Sequence, residues 1–275
     1  MSGFLDDMAR SSAERVAHAL LNESLAGLER RARAAAKCVP LRLSKARFDV
    51  IAELKLRSPA AGRLGEPSDD WLKRVTDYAR GGAAAVSVLT EPSRFDGSLE
   101  HLMQASAALA PLGVPAMRKD FLVDPYQVLE ARAAGAGGVL LIVRMLSRPQ
   151  LSELLDAAAA HGMFVLLEAF DESDLAVARE VLALRAGAAH SILVGINCRD
   201  LQTLQVVPQR FEALAPFLPA GFAAVAESGV ASAADATRVM RLGYRVALIG
   251  TALMGRDDPA QLLREILSTT RTLES

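Results

Sequence analysis

Apolar residues along this chain come in short packets separated by longer stretches of helical period. Runs rich in Val, Ile and Leu stand at 48–54 (FDVIAEL), 84–90 (AAVSVLT), 115–119 (PAMRK) and 138–143 (GVLLIV). Four more follow at 163–169 (MFVLLEA), 191–197 (SILVGIN), 222–227 (FAAVAE) and 245–250 (RVALIG). Most are continuously apolar rather than alternating, the pattern of strands buried on both faces of a parallel sheet. Between them lie Ala-, Leu- and Arg-rich segments of helical spacing: 70–81, 98–109, 124–135, 147–161, 172–184, 208–218, 231–242 and 259–270. Such alternation implies βαβ crossovers, and eight units in about 225 residues suit a closed barrel. The rival doubly wound sheet carries a Gly-rich turn after its first strand. Here that strand runs into Lys55-Leu-Arg-Ser58-Pro59, with no GxGxxG. The expected fold is therefore α/β, a (β/α)8 TIM barrel over residues 46–275. Residues 1–45 read as helical over Phe4–Leu21 and Glu23–Ala36, an N-terminal extension packed on the barrel within a single domain.

Composition narrows the function classes. The 275 residues carry 31 Lys+Arg against 32 Asp+Glu, a net charge of −1, which leaves no broad basic face for nucleic acid. Hydrophobic residues reach 51%, too many for a disordered chain. The longest apolar run, Ala133–Val143, is bracketed by Arg132 and Arg144 and is too short to span a bilayer. Cys38 and Cys198 stand 160 positions apart, and the four histidines are scattered, so no metal-ligand spacing or disulfide framework is visible. With no basic, apolar leader at the N-terminus, a cytoplasmic protein is expected.

In a barrel of this kind, function collects where strands end and loops begin. The polar residues fall there: Glu53, Lys55 and Ser58 after the first strand, Thr90, Glu91 and then Phe95 after the second, and Lys119-Asp120-Phe121 after the third. The fifth strand carries Glu168, the sixth Asn197 and Arg199, the seventh Glu227-Ser228-Gly229 and the eighth Gly250-Thr251. Any one of these could be a solvated strand end. Two lysines and three glutamates converging on one mouth are costly to bury, however, and that cost points to function. Glu53 and Lys55, two apart in an extended segment, face the same side. Small residues after the last two strands suit an anion, because those loops form the usual phosphate site of the fold, although turns use the same residues. Lys/Glu acid–base chemistry on a small phosphorylated substrate, without a metal, is the reading from these positions.

Several long stretches then carry a resemblance: IAELKLRSPAAG, YARGGAAAVSVLTEPSRFDGSLEHL, RKDFLVDPYQVLEARAAGAGGVLLIV, LLEAFDESDL, GINCRDLQTLQV, and VAESGV followed by LIGTALM. Over about residues 48–265 the chain resembles the indole-3-glycerol phosphate synthase family of the tryptophan pathway. The resemblance implies ring closure, decarboxylation and dehydration of 1-(2-carboxyphenylamino)-1-deoxyribulose 5-phosphate, with no cofactor. It implies Lys119 as the acid for ring closure, with Glu168 and Lys55 sharing the dehydration. Glu53 and Asn197 would support the substrate hydroxyls and the lysines. Phe95 and Phe121 would flank the anthranilate ring, Arg199 and Glu227 would be further polar site residues, Lys55, Ser58, Gly229, Gly250 and Thr251 would bind the phosphate, and Ser228 would be a further substrate-binding residue. The region before the first strand would help cover the substrate.

The chain departs from the family pattern at Ala60-Ala61, Gly137, Ala169-Phe170 and Cys198. Two alternatives stay open beside the synthase: a specialised-pathway copy acting on a ring-modified substrate, and a non-catalytic barrel that binds a partner. Phosphoribosylanthranilate isomerase shares the fold but works through a Cys/Asp pair, whereas the first strand here ends in Glu-x-Lys. Monomer and homodimer are equally compatible with the sequence.

Overall fold

The computed structural model describes residues 3–45, 47–58, 62–63, 70–188, 191–201 and 203–268. Eight parallel strands close into a barrel in which each is bonded to its sequence neighbours and the last pairs with the first. They are β1 (Asp49–Leu54), β2 (Ala85–Leu89), β3 (Ala116–Lys119), β4 (Gly138–Ile142), β5 (Phe164–Ala169), β6 (Ile192–Asn197), β7 (Ala223–Glu227) and β8 (Val246–Ile249). Every strand falls inside its predicted run, because both of its faces are buried. Ile51, Ala85, Met117, Leu140, Leu166, Leu193, Val225 and Val246 point inward and fill the barrel. Val50, Ala52, Val86, Val88, Val139 and Val194 point outward into a second core beneath the helices.

The helices are α1 (Phe4–Asn22), α2 (Leu25–Ala34), α3 (Trp71–Arg80), α4 (Leu99–Leu109), α5 (Pro125–Ala133), α6 (Arg148–Ala160), α7 (Glu172–Ala183), α8 (Arg210–Leu214), α9 (Ala233–Arg241) and α10 (Pro259–Leu267). Asp70, Ser98, Asp124, Ser147, Asp171, Ser232 and Asp258 cap α3 to α7, α9 and α10, each accepting a backbone N–H of the first turn. The helix expected over 208–218 is shorter than its pattern: α8 gives way to a 3₁₀ turn at Ala215–Phe217. Pro216 lies in that turn, lacks an N–H and crowds the preceding carbonyls, so the α-helix cannot continue through it.

The N-terminal segment packs as two helices on the barrel wall. Leu28 and Ala32 of α2 and Val16 of α1 bury against Tyr126 and Leu129 of α5. Gln127 Nε2 donates to Ser12 Oγ at 2.7 Å, and Arg15 reaches Asp120 at 2.7 Å, so α1 is fixed to the loop after β3. Its first turn then lies over the C-terminal mouth of the barrel, where Phe4 meets Phe121 edge-on at 5.8 Å. No described helix is long and apolar enough to cross a membrane.

Candidate active site

Inward positions low in the barrel are apolar, whereas those nearest the C-terminal ends of the strands are charged. Glu53, Lys119, Glu168, Asn197 and Glu227 occupy that upper level, and Lys55 follows immediately after β1. All but Lys119 are classed as buried, and the Lys119 side chain retains 17% of its exposure. The alternation of a strand explains the selection. Lys119 faces in, while its neighbours Arg118 and Asp120 face the helices.

Two lysines organise the cluster. Lys119 Nζ lies 3.1 Å from Glu168 Oε2 and 3.7 Å from Glu227 Oε2. Lys55 Nζ lies 3.0 Å from Glu53 Oε1 and donates to Thr251 Oγ1 at 3.4 Å. Burial alone would pull the Lys119 ammonium down, but Glu168, Glu227 and Glu53 together raise it above the ordinary lysine range. Burial pushes Glu53 up, and the Lys55 and Lys119 charges reverse that and hold it below its usual value. Glu227 moves the other way. Burial and then the neighbouring Glu168 carboxylate push it well above the carboxylate range, against partial opposition from Lys119. Among the described residues neither Glu227 oxygen has a donor within hydrogen-bond reach. Glu168 can bond it only when one of the two carboxyls carries a proton, which is how a crowded pair settles.

These groups line a cavity of about 420 Å³, the size of a small-ligand site. One side is aromatic: Phe95 and Phe121 stand 6.1 Å apart, backed by Phe4, and the apolar Leu140, Ile142 and Leu248 also line the cavity. At another corner Ser228 and Gly229 follow β7 with φ of 61° and 105°, and Gly250-Thr251 follows β8. A left-handed serine costs about 1–2 kcal/mol, so the turn is imposed by its surroundings. Thr251 opens a short helix, Thr251–Met254, whose far end is held by Arg74 donating to the Leu253 and Arg256 carbonyls at 3.2 and 3.0 Å.

Glu53, Lys55, Phe95, Lys119, Phe121, Glu168, Asn197, Arg199, Glu227, Ser228, Gly229, Gly250 and Thr251 all line this one cavity. The Ser58 backbone forms a short antiparallel pair with Gly62, and its side chain lies outside the described residues, as do Ala60 and Ala61. Arg199 also serves its own loop. Its backbone N–H donates to Asn197 Oδ1 at 2.9 Å and its guanidinium to the Leu204 carbonyl at 2.7 Å. Three strand-end polar residues serve the fold, although Glu91 and Asp120 also border the cavity. Glu91 caps the turn at Pro92–Phe95, and Thr90 and Asp120 join Arg118 and Arg15 in a buried network outside the barrel.

Of the departures, Phe170 faces the cavity with the Arg144 guanidinium 4.7 Å above its ring. Cys198 points into the outer core, and burial pushes its thiol up to about 12. A side chain at Gly137 would stand 2.6 Å from the Val39 carbonyl, far from the cavity. Phe4, Leu5 and Leu201 also line the walls without having stood out in the sequence. Phe4 begins an amphipathic helix, and nothing local separates it from a residue of the core. Among the described residues no group of three His, Cys, Asp or Glu side chains is placed to hold a metal ion.

Comparison with known proteins adds the chemistry. A family model described as indole-3-glycerol phosphate synthase matches residues 5–266. The indole-3-glycerol phosphate synthase of Parafrankia sp. (strain EAN1pec) is 43% identical over 222 residues, 81% of this chain and 78% of the relative. That of Leifsonia xyli subsp. xyli (strain CTCB07) is 42% identical over 267 residues, 95% of this chain and 94% of the relative. Among solved structures, 3-hexulose-6-phosphate synthase from Salmonella typhimurium is similar in fold alone, with a TM-score of 0.60 at 13% identity over 80% of this chain and 97% of that one.

Proposed function

The chain belongs to the indole-3-glycerol phosphate synthase family, and on that premise we propose how its barrel mouth carries out the family's reaction. The substrate is a phosphorylated, anthranilate-derived ketose. Its phosphate sits at the corner formed by Ser228, Gly229, Gly250 and Thr251, neutralised by Lys55, and Ser58 is assigned to the same phosphate. The anthranilate ring lies against Phe95 and Phe121, and Arg199 and Asn197 border the polar chain between.

Lys119 donates a proton to the ribulose carbonyl oxygen as the ring carbon attacks, so the developing alkoxide becomes a hydroxyl. Loss of CO₂ then restores the aromatic ring. In the dehydration, one of Lys55 and Glu168 delivers a proton to the departing hydroxyl while the other accepts the proton whose loss completes the indole. Glu53 holds the Lys55 ammonium near Thr251, and Glu227 completes the ring of carboxyl groups around Lys119. One observation carries this reading: a largely enclosed ammonium held charged by three carboxyl neighbours, 3.1 Å from Glu168, in a cavity that also has an aromatic side. General acid–base catalysis of this kind contributes typically 10²–10⁴-fold for each proton transfer.

Two free thiols accord with a reducing, cytoplasmic setting, and residues 1–45 are taken as an extension of the same domain. The test follows indole fluorescence on incubation with the carboxyphenylamino substrate. Wild type turns over. Lys119→Met loses at least about 10³-fold in kcat and keeps its affinity for a phosphorylated competitor. Near-normal turnover by that variant removes Lys119 from the role of acid, and a folded wild type without turnover removes the whole reading.

A further inference from the structure

We propose that Gly195 is a positioning residue: the space left by its missing side chain is the seat of the Glu227 carboxyl group. The inference deepens the acid–base reading above and rests on it. Gly195 lies in the middle of β6, paired with Glu168 on one side and Val225 on the other. Its φ is not in the left-handed region, so an L side chain is sterically allowed by the backbone there. Glycine weakens a strand interior, by about 0.5–1 kcal/mol relative to Ala, and in such a place often marks close approach of another group.

The approaching group is Glu227. A Cβ built on Gly195 would stand 2.0 Å from Glu227 Oε1 and 3.0 Å from its carboxyl carbon. Glu227 pairs in register with Asn197, so its side chain leans back along the neighbouring strand to reach Gly195. Seated there, its Oε2 stays 3.7 Å from Lys119, beyond a hydrogen bond, while Lys119 bonds Glu168 at 3.1 Å. The seat therefore helps decide which carboxylate the acid is bonded to. Glu53 is accommodated in a similar way by Gly250, where a Cβ would stand 2.3 Å from Glu53 Oε1. Gly250 also borders the phosphate corner, so Gly195 gives the cleaner test.

A methyl group at 195 collides chiefly with the free end of a flexible side chain, and the next atom it meets is Leu166 Cδ1 at 3.1 Å. The fold survives and the carboxyl moves. A displacement of about 1 Å at a catalytic cluster can cost 10²-fold. Gly195→Ala is thus expected to lower kcat about 10²-fold, leave KM within about threefold and leave Tm unchanged or slightly higher. Glu227→Asp withdraws the carboxyl by one methylene. The double variant Gly195→Ala/Glu227→Asp is therefore expected to run at the kcat of Glu227→Asp alone. The proposal is overturned by a kcat within twofold of wild type in Gly195→Ala, or by losses that simply multiply in the double variant. A loss of activity that only follows a fall in Tm overturns it as well.

A second readout does not depend on turnover. The infrared band of a protonated carboxyl group, assigned by its disappearance in Glu227→Gln, is expected to shift or vanish in Gly195→Ala. An unmoved band overturns the seat even if the enzyme is active. A moved band in a wild type that shows no turnover retains the seat and removes the functional reading.

Discussion

Replacing Asp120 by Asn removes one charge from a fully buried place and changes almost nothing in shape. The carboxylate has no exposed surface. It accepts from Arg15 at 2.9 and 2.7 Å, Thr90 Oγ1 at 2.7 Å, the Phe121 N–H at 2.8 Å and Arg118 at 3.1 Å. Arg118, equally buried, has Glu130 as its other counter-charge at 3.0 Å and donates to the Gln127 carbonyl at 2.8 Å. Asn offers one acceptor oxygen and turns an NH₂ toward these donors. Breaking a buried pair while leaving its partner in place costs about 3–5 kcal/mol, and because Arg118 keeps Glu130 the lower end, about 3 kcal/mol, applies. At roughly 2–4 °C per kcal/mol for a protein of this size, Tm falls by roughly 6–12 °C.

The pH dependence has a definite sign. Burial alone would raise the Asp120 carboxyl, but Arg15, Arg118 and Thr90 hold it far below the usual range. A depressed carboxylate contributes stability that is complete above its unfolded value of about 3.9 and is lost as the pH falls toward the folded one. The Tm gap between wild type and Asp120→Asn should accordingly be full at pH 7 and narrow as the pH is lowered through 4. Thermal melts followed by far-UV circular dichroism at pH 7, 5 and 3 measure both. A loss under about 2 °C at pH 7, or a gap that does not narrow in acid, refutes the account of this network.

Glu227→Gln should melt above wild type at pH 8, because a raised carboxyl costs stability as the pH climbs from about 4 toward its folded value. The advantage should close near pH 4, and an equal gap at both values would sink the idea that burial keeps this group protonated. Phe121→Leu keeps an apolar side chain but removes the ring that faces Phe95 and Phe4. An aromatic pair is worth about 0.5–1.5 kcal/mol, so KM should rise roughly 2–12-fold with kcat little changed. A drop confined to kcat would move Phe121 from holding the ring to shaping the acid.

Much of the candidate site was readable before any coordinates, because the barrel converts chain position into spatial position. Once eight apolar runs mark eight strands, Glu53, Lys119, Glu168, Asn197 and Glu227 must come together at one mouth. The same rule could not separate Lys119 from Asp120, which look alike as strand-end charges. The phase of β3 decides between them, sending Lys119 inward and Asp120 toward α1. The partner that makes Asp120 architectural, Arg15, lies 105 positions away in a different element. Phe4 escaped notice for the same reason. Its helix is visible in the pattern, but the surface that helix would cover is not. The short turn at Ala215–Phe217 had a local cue in Pro216, whose effect was outweighed by the apolar spacing around it.

By itself, then, the sequence determined what depends on neighbours within a few residues: the period of the apolar packets, the Ser and Asp caps that start the helices, and the eight-unit repeat that places polar strand ends at one mouth. The tertiary structure alone decided which carboxyl shares Lys119, that Glu227 lies against Gly195, and that Lys55 bridges Glu53 and Thr251. Those outcomes turn on distances of a few ångströms between residues far apart in the chain. In a poorly hydrated interior, such distances determine which charges are stabilised and which are suppressed.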